Sequence, residues 1–187
     1  GRDQLENARA GSAETCLQEP QLGTGHAVQQ AEENLADHSG DVLVLYGDVP
    51  FVRGETMRAM LDRLHAEDAP KVVVLGFEPE DALAYGRVIA DDEGRISKMV
   101  EFKDATEEER ACTLCNSGLM AARAQDMFDL LRRVGNDNAQ GEYYLPDIVN
   151  IAIADGETCA AVTASDPGEV AGINSRGELA RAEAQWQ

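Results

Sequence analysis

Asp48 closes an apolar run, Val42 to Pro50 (VLVLYGDVP), in which no polar residue alternates and one carboxylate follows the glycine at 47. Such a run, bounded by Asp41 and Gly47, predicts a strand buried on both faces of a mostly parallel sheet. Ligand crevices in open α/β sheets lie outside the carboxyl ends of the strands. Asp48 is therefore placed to hold a metal ion against a substrate phosphate. The same residue can instead begin a turn that Val49 and Pro50 complete.

Other residue types carry similar pairs of readings. Gly23-Thr24-Gly25 permits a tight turn and close backbone approach to a flat base or a phosphate, or simply opens a helix. Glu101 ends an alternating stretch and is either solvated surface or a ligand contact. Asn116 interrupts the run Thr113 to Ala121 (TLCNSGLMA), as a polar group on a crevice wall or as a bulge at a sheet edge. Asn174 can donate a neutral oxygen to the metal held by Asp48, or cap the last helix. Tyr143 and Tyr144 either wall a sugar site or anchor a helix to the core. His26, His38 and His65 have no recognisable partner in the pattern, so a metal site built on histidines is not expected. Cys112 and Cys115 form a C-x-x-C without a second pair for zinc and without a thioredoxin-like context. With Cys16 and Cys159 they read as reduced thiols of a structural kind.

The elements that must position these residues follow in chain order. Glu14 to Gln18 (ETCLQ) reads as a short strand, and His26 to Ala36 as a helix beginning at Thr24 or Gly25. Glu55 to Ala66 places Met57, Met60, Leu61 and Leu64 at helical spacing, one buried stripe. Lys71 to Phe77 (KVVVLGF) is a second buried strand, so strand, helix and strand follow as a βαβ unit with the right-handed crossover. GRVIA and RISKMVE alternate around Asp91-Asp92-Glu93-Gly94, which predicts a hairpin used as a lid or substrate wall. Thr106 and Glu109 form a capping box. Gln125 to Val134 and a segment carrying Ile148, Ile151 and Ala152 to a Gly156 stop are helices, with Pro146 near the second one's start. Thr158 to Ala164 is the last strand.

Composition bounds the function classes. With 187 residues, 43% hydrophobic and 27% charged, the chain reads as one globular unit. A net charge of -19, from 35 acidic against 16 basic residues, argues against nucleic acid or an anionic membrane as partner. It leaves room for a small phosphorylated ligand. No segment approaches the roughly 20 apolar residues of a membrane span, and no signal peptide precedes the fold, so a cytoplasmic protein is expected. The opening GRDQLENARAGSAE lacks a starting methionine and the closing LARAEAQWQ lacks a helix stop, so an excerpt of a longer protein is expected.

QLGTGHAVQQA, VLYGDVPF, AYGRV, VEFKDAT, CNSGLM, NDNAQGEYYLPDI and VAGINSR occur in an order and spacing that resemble a known family. That family is the bacterial bifunctional N-acetylglucosamine-1-phosphate uridyltransferase/glucosamine-1-phosphate acetyltransferase, in its uridyltransferase (pyrophosphorylase) domain. The resemblance covers nearly the whole chain. It implies a Rossmann-like nucleotide-diphospho-sugar transferase fold: a mixed, mostly parallel sheet with flanking helices and an inserted hairpin. It also implies Mg²⁺-dependent attack of N-acetylglucosamine 1-phosphate on UTP, giving pyrophosphate and UDP-N-acetylglucosamine for peptidoglycan and lipopolysaccharide. By position, Gln18, Gly23 and Thr24 look like the uracil contacts, and Tyr46-Gly47-Asp48 like the segment at the nucleotide-sugar and metal. Asp48 and Asn174 look like the Mg²⁺ ligands. Gly86, Glu101 and Asn116 are similar to the family's contacts to N-acetylglucosamine and ribose.

The same resemblance implies that the family's first strand and glycine-rich loop lie before Gly1, and that a left-handed β-helix domain, through which the family forms trimers, follows Gln187. Residues 1–175 are then a partial uridyltransferase domain and 176–187 the start of a connecting helix, and this stretch alone is expected to be inactive. Ala171 stands where some relatives carry an acidic residue. Three rival readings share the pattern: another sugar-phosphate nucleotidyltransferase, a metal-dependent glycosyltransferase of similar sheet architecture, and a nucleotide-sugar-binding module. The glycosyltransferase would usually need a second acidic residue two positions from the first, where Asp48 is followed by Val49 and Pro50.

Overall fold

The computed structural model describes residues 13–82, 85–173, 175–177, 179, 180 and 183. The expected junction at 175/176 and the residue Asn174 fall on or beside positions outside that set.

A six-stranded sheet runs through the middle. Its strands are β1 (Asp41–Val44), β2 (Val72–Phe77), β3 (Arg87–Ala90), β4 (Ile96–Val100), β5 (Cys115–Arg123) and β6 (Cys159–Thr163). The helices are α1 (Thr24–Gln29), α2 (Gly54–Leu64), α3 (Glu107–Arg110), α4 (Ala124–Leu131) and α5 (Asp147–Ala154), with short 3₁₀ turns at Glu33–Leu35 and Pro167–Val170. The spatial order is β4-β3-β5-β2-β6, with β1 also laid against β5.

The sheet has helices on both faces, which explains why β2 reads as uninterrupted hydrophobic sequence: every residue of it is buried. Val72 and Val74 point into a core shared with Met127, Leu131, Ile148 and Val149 of α4 and α5. Val73, Leu75 and Phe77 point the other way, against Met60 and Leu64 of α2. Each such aliphatic side chain contributes about 1.5–3 kcal/mol by leaving water. The expected stripe on α2 is therefore real, with Met60 and Leu64 at its centre and Met57 and Leu61 at its margins.

Strand direction and strand adjacency tell different stories. β1, β2, β3 and β6 run one way and β4 and β5 the other, as the mixed sheet predicts. Yet the parallel ladder among the described residues is β2 with β6, because the reversed β5 is wedged between β1 and β2. The expected βαβ unit β1-α2-β2 is thus split, and its two strands never pair.

Several other expectations need correction. β1 is only four residues long and half-buried rather than buried on both faces, since β5 is its sole partner among the described residues. ETCLQ forms no ladder, having no strand beside it among the described residues. The helix expected over 26–36 ends at Gln29 and continues as turns and a 3₁₀ segment, where Asn34 and the run of glutamates before it bury little. His65 does have a partner, with its Nε2 2.7 Å from Asp41 Oδ2. The hairpin β3–β4, the Thr106/Glu109 capping box, Pro146 at the head of α5 and the Gly156 stop at φ +83° form as the sequence predicts.

Candidate active site

β5 is nine residues long, and no single strand covers the edge it turns toward β1 and β3. β1 pairs with its far half, Met120–Arg123, and β3 meets it only at Cys115, with Asn116 N donating to Gly86 O at 2.9 Å. Neither ladder reaches 117–119. A cavity of about 320 Å³ opens at that gap, lined by Thr24, Tyr46, Asp48, Gly86, Glu101 and Asn116 together with Ser117, Gly118, Tyr144, Val170 and Gly172. Residues far apart in sequence thus meet where two strands fail to close over a third. The remaining wall comes from Val49, Tyr85, Gln140, Glu142 and Pro146.

The floor is set by Tyr46. Its ring lies so close under β5 that a Cβ on Gly118 would stand 2.5 Å from Tyr46 Cε2, and Gly118 has φ +87°, a conformation side chains rarely adopt. Tyr46 is also hydrogen-bonded to the Thr24 side chain, and Thr24 Oγ1 accepts from Leu145 N at 3.0 Å. The phenol is thereby fixed from two sides. Burial pushes its pKa above the ordinary tyrosine value; the Thr24 bond opposes that shift, and the charges of Glu101 and Asp48 add to it.

The Gly-Thr-Gly turn is built onto the α5 approach. Gly25 N donates to Tyr143 O at 2.8 Å and Tyr143 N to Leu22 O at 2.8 Å. A Cβ on Gly23, at φ +112°, would come within 2.6 Å of Tyr143 O. Gln18 reaches across this turn, its Nε2 donating to Gly23 O at 2.9 Å and lying 3.2 Å from His26 Nδ1. Gln18, Gly23 and Gly47 lie outside the cavity lining. Of the two tyrosines, Tyr144 lines the cavity, while Tyr143 binds the Gly-Thr-Gly turn through its backbone and packs against the core.

Asp48 occupies the turn after β1, with Val49 N donating to Tyr46 O at 3.1 Å and Ile173 N to Asp48 O at 2.8 Å. It is at once a turn residue and a cavity carboxylate. Its side chain is exposed and makes no hydrogen bond or ion pair among the described residues. Glu101 is its opposite. The carboxylate lies against Gly86, where an added Cβ would be 3.3 Å from its Oε2. Burial first, then the charges of Asp147 and Asp104, push its pKa up. Burial and Asp104 push Asp147 up in turn. Asn116 lines the cavity, its Oδ1 accepting from Gly118 N at 2.9 Å, and the β2–β5 register shifts beside it, between Val74 and Gly76, although β5 lies inside the sheet rather than at its edge.

Arg87, only 2% exposed, anchors the hairpin that carries Gly86 and Glu101. It donates to Tyr85 O and to Arg110 O, and its guanidinium lies 5.6 Å from the Phe102 ring centroid. Nothing in the alternation of GRVIA distinguished it from a solvated arginine. Cys112 and Cys115 are free thiols near its backbone neighbours, Cys112 bonded to Val88 O. A larger open groove of about 1090 Å³ lies between α1 and α4. Among its polar groups, Gln29 is bonded to Leu131 O, Asp126 to Lys71, and Arg132 to Glu32 and Asp129.

An open α/β sheet with a cleft at the strand ends, walled by a hairpin, is the fold of nucleotidyltransferases. The chain is similar to a UDP-glucose pyrophosphorylase complexed with UDP-glucose, with TM-score 0.65 and 18% identity over 99% of this chain and 74% of that one. It is equally similar to a CMP:2-keto-3-deoxy-manno-octonic acid synthetase complexed with CTP, with TM-score 0.66 and 16% identity over 98% and 76%. At those identities the likeness concerns fold alone. The chain belongs to the nucleotidyl transferase family, which it matches over residues 2–179. Curated relatives named Bifunctional protein GlmU are 71% identical over all of this chain in Novosphingobium aromaticivorans and 69% identical over 99% of it in Sphingopyxis alaskensis. The chain spans 41% of the length of each.

Proposed function

We propose that this chain is the part of a complete protein that holds the site of uridyl transfer from UTP to N-acetylglucosamine 1-phosphate, giving UDP-N-acetylglucosamine and pyrophosphate. The observation that carries the reading is the convergence of Thr24, Tyr46, Asp48, Gly86, Glu101 and Asn116 on one cavity in a nucleotidyl transferase chain. Relatives at up to 71% identity named as a bifunctional protein support the larger assignment, in which this activity is one of two. On that reading the product feeds cell-wall synthesis in the cytoplasm. Trimer formation rests on the resemblance alone.

A phosphate oxygen of the sugar 1-phosphate attacks the α-phosphorus of UTP; that O–P bond forms as the bond to the β-phosphate breaks and pyrophosphate leaves. Two highly negative reactants must be brought together, so positioning and charge neutralisation dominate and no protein nucleophile is required. Thr24 faces the base from the cavity wall, with Gln18 holding the Gly23 turn closed. Gly86 admits the sugar close to the hairpin, where Glu101 and Asn116 meet its hydroxyl and amide groups.

The donor chemistry fits Mg²⁺. Mg²⁺ is usually held by one or two carboxylates plus substrate phosphates and water rather than by an all-protein cage. Asp48 is a free carboxylate at the cavity, and no group of three or more acidic, histidine or cysteine side chains forms such a cage among the described residues. Asp48, with Asn174 as the second oxygen donor, would hold the ion. Bound there, it would neutralise phosphate charge in the transition state.

The test supplies the complete protein bearing this sequence with UTP and N-acetylglucosamine 1-phosphate. Pyrophosphate and UDP-N-acetylglucosamine in equal amounts are expected. Release of UDP from a nucleotide sugar would assign a glycosyltransferase, binding without turnover a sensor module, and preference for glucose 1-phosphate a different sugar nucleotidyltransferase.

A further inference from the structure

Next in sequence to Val170 of the cavity wall stands a carboxylate that packing alone does not explain. Glu169 is 2% exposed. Its Oε2 accepts from Thr56 Oγ1 at 2.6 Å and from Arg53 N at 3.3 Å, across more than a hundred positions of sequence. Its Oε1 has no hydrogen bond and lies 3.7 Å from Arg53 Nη1. A buried carboxylate with one oxygen unbonded is costly, and a neutral residue of similar shape would fill the space at least as stably. What the charge accomplishes is a join. Arg53 and Thr56 begin α2, directly after the Asp48 turn, while Glu169 belongs to the segment that supplies Val170 and Gly172 to the cavity. Arg53 repeats the join by donating to Asp166 Oδ2 at 2.8 Å. The same two segments touch again at the cavity, through Ile173 N and Asp48 O.

We infer that Glu169 is a positioning residue for the cation-binding side of the site: by tying 166–173 to the head of α2 it fixes the angle at which Asp48 presents its carboxylate. This deepens the uridyltransferase reading and rests on it. Glu169 touches neither substrate nor metal; it acts through Arg53, Thr56 and the Asp48–Ile173 contact. Partners that orient a ligand in this way are commonly worth 10–100-fold in metal affinity.

The experiment uses the complete protein and Mn²⁺ as the probe, counting free ion by electron paramagnetic resonance in the presence of UTP. Asp48→Asn is the control that identifies the ion at this site. Glu169→Gln, which keeps the shape and removes the charge, should raise the Mn²⁺ Kd about tenfold and raise the Mg²⁺ concentration for half-maximal rate similarly. KM for the sugar 1-phosphate should stay at the wild-type value. Thr56→Val should move the Mn²⁺ Kd in the same direction and Thr56→Ser should restore it. Thr56→Val also serves if Glu169→Gln fails to fold. Variants that melt earlier but keep the wild-type Mn²⁺ Kd would overturn the inference and leave Glu169 a merely structural residue. A wild-type protein that binds Mn²⁺ through Asp48 yet releases no pyrophosphate would instead refute the proposed reaction, with the Mn²⁺ comparison still deciding the role of Glu169.

Discussion

Asp48 and Glu101 both line the cavity, and their surroundings differ in almost every respect. Asp48 stands in a turn beyond a short half-buried strand, its side chain exposed and without a hydrogen-bonding partner among the described residues. Glu101 lies recessed at the base of the hairpin, against Gly86, with its pKa pushed up by burial and by Asp147 and Asp104. An open carboxylate has its lone pairs free for a hydrated cation. A recessed one, whose charged form burial disfavours, is suited to uncharged hydroxyl and amide groups. Environments that treat two like groups differently divide the labour of a site. On the proposed function this division follows the two ladders on β5, with Asp48 on the β1 side and Glu101 on the β3–β4 side.

The largest expected effect tests the charged side. Asp48→Asn in the complete protein should remove several kcal/mol of transition-state stabilisation and so nearly all turnover, with the fold retained. A variant with the wild-type rate throughout a Mg²⁺ titration would mean that the two carboxylates are not divided in this way. Gly118→Ala strikes the floor between them. The methyl group would meet the Tyr46 ring at 2.5 Å, and φ +87° adds about 1–2 kcal/mol of backbone strain. Lower melting temperature and weaker binding of both substrates should appear together; loss confined to one substrate would show that Tyr46 serves a single side.

Glu101→Ala tests the sugar side. Loss of a buried hydrogen-bonding group should cost about 1–3 kcal/mol, read as a higher KM for N-acetylglucosamine 1-phosphate and little change for UTP. Equal changes in both constants would abolish the distinction drawn between the two walls.

These walls were unequally legible in the sequence. The hairpin was plain, because alternation and an acidic Gly-containing turn are local signals, and Glu101 ends its second arm. β2 was plain as well, since a run buried on both faces cannot alternate. The wedge of β5 between β1 and β2 was not, because strand order is settled by which edges meet at a distance, and nothing in VLVLYGDVP registers that its neighbour runs the other way. Asp48 could be placed beyond a strand but not given a partner: Ile173 touches it through backbone atoms, which leave no mark on residue type. Gly118 was visible as an oddity in CNSGLM, although the reason for it, the Tyr46 ring, lies seventy-two positions away in sequence and leaves no local pattern. Glu169 and Arg87 were missed outright. Both are charged residues in segments that read as surface, and only the folded chain reveals them as buried.

The smallest effect separates the two carboxylates by pH. Because the folded-state pKa of Glu101 lies above its unfolded value, the native protein holds a proton that the unfolded chain has already released. Stability from this group is complete below the ordinary glutamate range and falls as pH rises through the raised value. Glu101→Gln remains neutral throughout and has no such slope, and it also relieves Asp147 and Asp104 of a neighbouring charge. Thermal melts of the complete protein should therefore coincide most closely at acidic pH. By neutral pH the variant should melt slightly above the wild type, even as its affinity for the sugar phosphate falls. Gain in stability with loss of binding is the expected signature of a group strained in the service of its ligand. A glutamine variant less stable than wild type by the same margin at every pH would mean that Glu101 is held as a satisfied structural acceptor. The contrast with Asp48 would then reduce to exposure alone.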